Sequence, residues 1–184
     1  MRGVCKICGC TMHNPCFNHR YGFCWWTTEN EDICSHCEIK ELKDDPNTIH
    51  CVHGLEFPVL TVHQPYALML VKGLKKIEYR NWKLPDKYVG QRIFIHAGRM
   101  LETKWHEHYS DKQSFDECLE EAYVNDLAEM IIGSVVFGES KGPRSGIFYG
   151  EPYPMYEWPV FDPIRLMEPL ENIPGKQRIW KIGF

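Results

Sequence analysis

Apolar and β-branched residues crowd together from Phe57 to Val62 and predict a buried strand. The period then changes. Across His63-Gln64-Pro65-Tyr66-Ala67-Leu68-Met69-Leu70-Val71-Lys72, the residues Ala67, Leu68, Leu70 and Val71 form the apolar side of a short helix. Pro65 suits its first turn, where the missing N–H would have had no partner. Gly73 reads as the helix stop, a C-terminal cap that needs positive φ. From Ile77 the spacing becomes two, so Glu78 and Arg80 project from one face of a strand and Ile77 and Tyr79 from the other, with Lys75 in the turn between.

Further along, residues 91–97 (Gln-Arg-Ile-Phe-Ile-His-Ala) read as a second buried strand, ending with His96 either in the cleft or satisfied in the core. Residues 101–130 read as helical, with Phe115, Leu119, Tyr123 and Leu127 as an apolar stripe, an acidic face opposite and Cys118 a core thiol. Within them, Trp105-His106-Glu107-His108 does not set its polar groups on one helix face, and is assigned to surface and packing. Residues 130–139 are an apolar strand, and 141–146 a loop rich in glycine and cation. Lys141 and Arg144 there would either rim a binding site or be an ordinary solvated turn. The stretch Pro152-Tyr-Pro-Met-Tyr156-Glu-Trp158-Pro159 and two closing segments, 165–169 and 178–182, supply the last strands. Short strands with helices in the connections make an α+β domain, a small mixed β-barrel with peripheral helices.

The first 45 residues follow another logic. They hold seven of the nine cysteines: Cys5, Cys8, Cys10, Cys16, Cys24, Cys34 and Cys37. In a reducing cytosol such density indicates metal binding ahead of disulfides. Cys5-x-x-Cys8 and Cys34-x-x-Cys37 are two knuckles 25 residues apart, able to turn four thiolates toward one tetrahedral Zn²⁺ at about 2.3 Å. Cys10, Cys16 and Cys24 offer a second site, with His13, His19 or His36 completing it; core thiols or a shared bridging ligand are the alternatives. An iron–sulfur cluster also takes four cysteines; the paired knuckles favour zinc. A segment this short buries too little to fold alone, so metal would contribute much of its stability. Tyr21, Trp25 and Trp26 are available to stack on a nucleic acid or meet a protein partner, or else plug against the larger domain. Asp44-Asp45-Pro46-Asn47 marks the boundary: residues 1–45 form the cysteine module, 46–57 a linker and 58–184 the main domain. His50, Cys51 and His53 read as the entry to that domain rather than as ligands.

Composition narrows the partners. The 184 residues allow one ordinary domain and a small appendage, and 43% apolar content excludes disorder. No run of about 18 apolar residues suggests a membrane span, and the polar, cysteine-rich start is unlike a secretory signal; the expected location is the cytoplasm. A net charge of −4 argues against a sequence-blind coat on a phosphate backbone, which needs clustered Lys and Arg.

The spacing Gly73-x-Lys75-x-x-Glu78-x-Arg80 resembles the signature of the ASCH domain family, whose fold belongs with the PUA-like β-barrels alongside PUA, EVE and YTH domains. His63-Gln64-Pro65, Trp82, residues 93–97, Ile132-Gly133-Ser134-Val135, Tyr156-x-Trp158 and Gly175-Lys-Gln-x-Ile-Trp180 fall in that family's order, so the likeness covers roughly residues 58–184. The cysteine run is similar to a small module of bacterial and bacteriophage proteins. The resemblance implies binding of RNA, single-stranded DNA or a modified nucleoside in a cleft lined by His63, Gln64, Tyr66, Gly73, Lys75, Glu78, Arg80, His96 and Trp158. Glu78 would accept from an exocyclic amine and the cations meet phosphate or carbonyl oxygens, with Tyr66, Tyr156 or Trp158 stacking; the plain alternative is an internal ion pair. Some small relatives are amidohydrolases of N4-acylated cytidine using a lysine, a threonine and a glutamate, and ribonuclease activity is ascribed to others. Lys75 matches that lysine, but Glu78 stands where the threonine nucleophile falls, and a carboxylate cannot replace a hydroxyl in acyl transfer without changing the mechanism. A hydrolase would rely on Lys75, Glu78 and His96. Recognition is the leading expectation and hydrolysis the alternative.

Overall fold

The computed structural model describes residues 2–105, 111–148 and 151–184, with residues 145–148 and 151–153 described by backbone alone. Two units emerge. The first comprises Met1–Phe57 with Leu166–Glu168 and Lys181–Phe184; the second comprises Pro58–Arg165 and Pro169–Trp180.

In the first unit, β1 (Phe17–Asn18) pairs antiparallel with both β2 (Gly22–Phe23) and β3 (Thr48–Ile49). Two one-turn helices, α1 (Ser35–Glu38) and α2 (Lys40–Lys43), lie between them in sequence. Apolar packing is thin and aromatic: Phe17 stacks on Phe184 at 5.7 Å and meets Phe23 edge-on at 5.2 Å. The other packed centre is sulfur, a cluster built from Cys5, Cys10, Cys16, Cys34 and Cys37.

The second unit is organised on a sheet whose strand order is β10-β4-β6-β7-β9-β5, with β8 beside β9. These are β4 (Glu56–Gln64), β5 (Ile77–Arg80), β6 (Arg92–Leu101), β7 (Met130–Phe137), β8 (Lys141–Phe148), β9 (Glu151–Leu170) and β10 (Ile179–Gly183). β4 and β6 run parallel, whereas β6–β7, β7–β9 and β5–β9 are antiparallel. A large mixed sheet with few helices is the α+β class the sequence predicts. The helix α3 (Tyr66–Val71) is buried at every position, which explains why an apolar side alone did not describe it. Its first turn is capped from outside: Gln64 Oε1 accepts from Leu68 N at 3.1 Å, meeting one of the donors that every helix start leaves unpaired.

Three segments differ from the sequence expectation. β6 continues through Leu101, and the helix α4 covers only Lys112–Val124, capped by Asp111, which accepts from Ser114 N. Its inward positions are Phe115, Cys118 and Ala122 while Tyr123 is exposed, because a strict four-residue spacing drifts off a 3.6-residue turn. The His106-Glu107-His108 cluster lies outside the described residues; Trp105 packs partly buried on the core. Residues 141–148 form strand β8 and not a loop. Pairing with β9 overrides the local glycine and proline signal, and the register shifts between Lys141 and Arg144, where Gly142 and Pro143 sit.

Gly73 has the positive φ its place demands, +71°, and a Cβ there would lie 2.9 Å from Pro163 Cγ. A Gly73→Ala variant is expected to lose about 1–2 kcal/mol, read as a lower urea midpoint at unchanged slope.

Candidate functional site

After α3 the chain folds back on its own helix, Leu74 N and Lys75 N both donating to Met69 O at 2.9 and 3.1 Å. This turn drives the Lys75 side chain inward, to 3% exposure. Its Nζ donates to Glu78 Oε2 at 2.8 Å and to the Ile77 carbonyl, with the rings of Tyr79 and Tyr66 5.2 and 5.8 Å away. Glu78 is 5% exposed, and its other oxygen, Oε1, lies 2.8 Å from Arg80 Nε. Arg80 Nη2 then donates to Thr61 O on β4 at 3.0 Å. Burial opposes ionisation of Glu78, but the charges of Lys75 and Arg80 overcome it and hold the carboxyl below the ordinary carboxylate range. Both carboxylate oxygens are therefore engaged by cations. Desolvation offsets much of the Coulomb attraction of such a pair, so its main effect is to fix where Arg80 points. Arg80 is the member that reaches solvent, its side chain 23% exposed.

Behind the network stands Trp158, opposite Glu78 in the β5–β9 register. It is fully buried, donates Nε1 to Trp82 O at 3.3 Å, and meets Trp82 and Phe137 edge-on. Tyr66 is likewise buried and Tyr156 half-buried. Of the expected cleft residues, Lys75, Glu78 and Arg80 come together. Gln64 turns to cap α3 and His63 is exposed.

His96 belongs to a neighbouring arrangement. Thr61 is its partner across β4 and β6, and His96 Nε2 donates to the Ile173 carbonyl at 2.7 Å. Burial pushes its pKa down against that hydrogen bond, which favours the neutral ring with its proton on Nε2. Gly175 closes over it: a Cβ there would come within 2.6 Å of His96 Cε1, so only glycine permits this approach. Trp180 lies edge-on to His96 at 5.9 Å and donates Nε1 to Thr61 Oγ1 at 3.1 Å. Thr61 thus serves both arrangements, its carbonyl taking Arg80 and its hydroxyl taking Trp180.

Sequence reasoning did not place two neighbouring residues in the site. Lys176 Nζ sits 5.4 Å over the Trp180 ring and Arg178 Cζ 5.7 Å over the Trp82 ring, and both cations are exposed. Their signal was the interleaving of cation and aromatic in Gly175-Lys176-Gln177-Arg178-Ile179-Trp180. A shallow concavity of about 340 Å³ lies elsewhere, between Leu101, Thr103, Asp116, Leu119, Glu120 and Tyr123. Among the described residues its one charged pair is the exposed Lys112–Asp116 contact at 2.6 Å.

In the first unit the cysteines fall into sets whose donor atoms all lie within 4.8 Å of one another: Cys5, Cys8, Cys10 and Cys34; Cys10, Cys16, Cys24 and Cys34; and Cys8, Cys37 and His50. All are free thiols. Soft sulfur donors converging at this distance fit a metal ion. The histidine differs from the expected ones. His36 engages both ring nitrogens, with Ser35 Oγ and Gly22 O at 3.0 Å each, His13 is exposed and His19 packs edge-on to Phe17. His50, expected to enter the main domain, instead lies among the sulfurs, its Nδ1 3.2 Å from Cys16 Sγ, because the β1–β3 pairing carries residues 48–49 back to the cysteines.

A family model for the ASCH domain matches residues 60–157. Two solved structures are similar to the chain, a serine-to-alanine and a tyrosine-to-phenylalanine variant of ZmASCH from Zymomonas mobilis. Each is 14% identical with a TM-score of 0.42, covering 68% of this chain and 87% or 88% of its own. No curated protein matches the chain.

Replacing Glu78 by Gln leaves the buried Lys75 ammonium and Arg80 without their counter-charge, and is expected to cost about 3 kcal/mol in urea unfolding. The sign with pH follows from the depressed Glu78 pKa. Its stabilisation is present above the ordinary carboxylate value of about 4.3 and is lost as pH falls through the lower folded-state value. The native chain should therefore weaken on acidification more steeply than the Glu78→Gln variant.

Proposed function

The chain belongs to the ASCH domain family, and from that premise we propose that it binds single-stranded RNA, with zinc holding the cysteine unit together. ASCH domains are in general RNA-binding domains of PUA-like fold, which supports the class of ligand. The observation that carries the reading is the pair of cation–aromatic layers, Arg178 on Trp82 and Lys176 on Trp180, set beside Arg80. An exposed guanidinium resting on an indole is a stacking platform for an unpaired base, and the cations meet the phosphates that flank it. Arg178 keeps this position with φ of +58°, a left-handed conformation that costs a long side chain about 1–2 kcal/mol. This local basic patch answers the net charge of −4: contact is to a few nucleotides, not along a backbone.

Glu78 acts on this reading as the group that aims Arg80, since Lys75 and Arg80 already occupy its oxygens. Hydrolysis finds less support. Lys75 is consumed in the same network, and His96 is directed to the Ile173 carbonyl. For the metal, thiolates with one imidazole suit Zn²⁺; elemental analysis of the intact protein should find zinc, without iron and acid-labile sulfide.

A Lys176→Ala/Arg178→Ala double variant should bind a single-stranded RNA oligomer roughly tenfold more weakly, and its log Kd against log salt should flatten by about 1.4, at about 0.7 per lost phosphate contact. The same oligomer as DNA and a free modified nucleoside are the comparison ligands. An unchanged Kd and salt slope would dismiss this face.

A further inference from the structure

The cysteine unit offers its donors as one connected group, and we propose that it holds three zinc ions in a single cluster, with Cys8, Cys10 and Cys34 as bridging thiolates and Cys51 joining Cys37 and His50 at the third ion. This rests on zinc being the metal. Two of the sets bring together four donors and one brings together three, and they share members: Cys10 and Cys34 belong to both four-donor sets, and Cys8 to the first and the third. A thiolate at the meeting point of two sets is placed to bridge two ions.

Distances across the sets point the same way. Two sulfurs on one tetrahedral zinc at about 2.3 Å each lie about 3.8 Å apart. Cys8–Cys34 and Cys10–Cys24, within sets, are 3.9 and 3.8 Å. Yet Cys16 of the second set lies only 3.5 Å from Cys8 and 3.2 Å from His50 Nδ1, both in the third. Two isolated sites, one on the paired knuckles and one on Cys10, Cys16, Cys24 and His50, would have to separate donors that are already at ligand-to-ligand spacing.

The third set lacks one donor, and Cys51, which stands outside the 4.8 Å grouping but beside Cys8, would complete it on a small inward shift. Its thiol is partly buried against the cysteine cluster, Sγ lies 3.3 Å from Cys8 O, and the residue takes a left-handed φ of +55°. With Cys51 the unit has nine donors. Three tetrahedral ions need twelve ligand bonds, and nine donors provide twelve when three of them bridge. Charge agrees with the count. Eight thiolates carry eight negative charges: two Zn²⁺ ions leave four uncompensated and three leave two, while Cys5, Cys10, Cys16, Cys34 and Cys37 are all at most 4% exposed. Residual charge in so dry a place is costly, so the third ion is favoured. Residues 50–51, expected as part of a linker, become ligands.

Native mass spectrometry of the full chain, purified without chelator, tests this directly. Three zinc ions per chain are expected. In a His50→Ala/Cys51→Ala variant one ion should be lost and two retained, since every donor of the other two sets remains. One or two zinc ions in the unmodified chain would overturn the cluster and leave zinc as the metal; no metal, or iron with sulfide, would overturn both. Three ions retained by the double variant would overturn the assignment of His50 and Cys51.

Discussion

A carboxylate buried with cations on both of its oxygens is the constraint on which the second unit turns. Glu78 could not sit at 5% exposure as an ion without Lys75 and Arg80, and each of them is held by something else in turn. The fold-back of the chain onto Met69 O delivers Lys75, Gly73 makes that fold-back possible, and Thr61 O fixes the far end of Arg80. The network therefore connects α3, its turn, β5 and β4 through hydrogen bonds to backbone carbonyls and two ion pairs that meet at the Glu78 carboxylate. Buried ionic groups of this kind contribute modestly to net stability and strongly to geometry. Here the geometry at stake is the direction of Arg80.

The two units solve the problem of a core by different chemistry. Around the sheet, Trp158, Phe94, Phe137 and the whole of α3 remove apolar surface from water, at a gain of roughly 25 cal/mol per Å². The cysteine unit has short strands, single-turn helices and few large apolar side chains. Sulfur occupies the place a hydrophobic cluster would take. On the proposed reading, metal–thiolate bonds formed only in the folded chain would supply the cohesion that so little apolar area cannot.

An acidic chain that engages nucleic acid must concentrate its cations. Lys176 and Arg178 do so within three residues, each resting on an indole, and a stacked cation loses less freedom on binding than a loose one. The Trp180 indole is held by its hydrogen bond to Thr61 Oγ1, and the Trp82 indole packs edge-on against buried Trp158 at 4.6 Å.

Much of this was legible along the chain. The switch from helical to alternating spacing across residues 63–80 placed α3, the Gly73 stop and β5, since each is a local property of neighbouring residues. The order of charges at 75, 78 and 80 announced a cluster, and the cysteine knuckles announced that thiols would converge, because spacing of two residues between thiols limits where they can point; the expected set of Cys5, Cys8, Cys34 and Cys37 is regrouped, with Cys10 in place of Cys37. What stayed hidden was every fact that depends on residues far apart in sequence. Whether Glu78 faces solvent or cations, whether residues 141–148 are loop or strand, and whether His36 or His50 joins the cysteines are decided by which strand lies alongside and how much water it displaces. Only the tertiary structure could decide these, because burial and partnership belong to the assembled sheet and not to any stretch of chain that enters it.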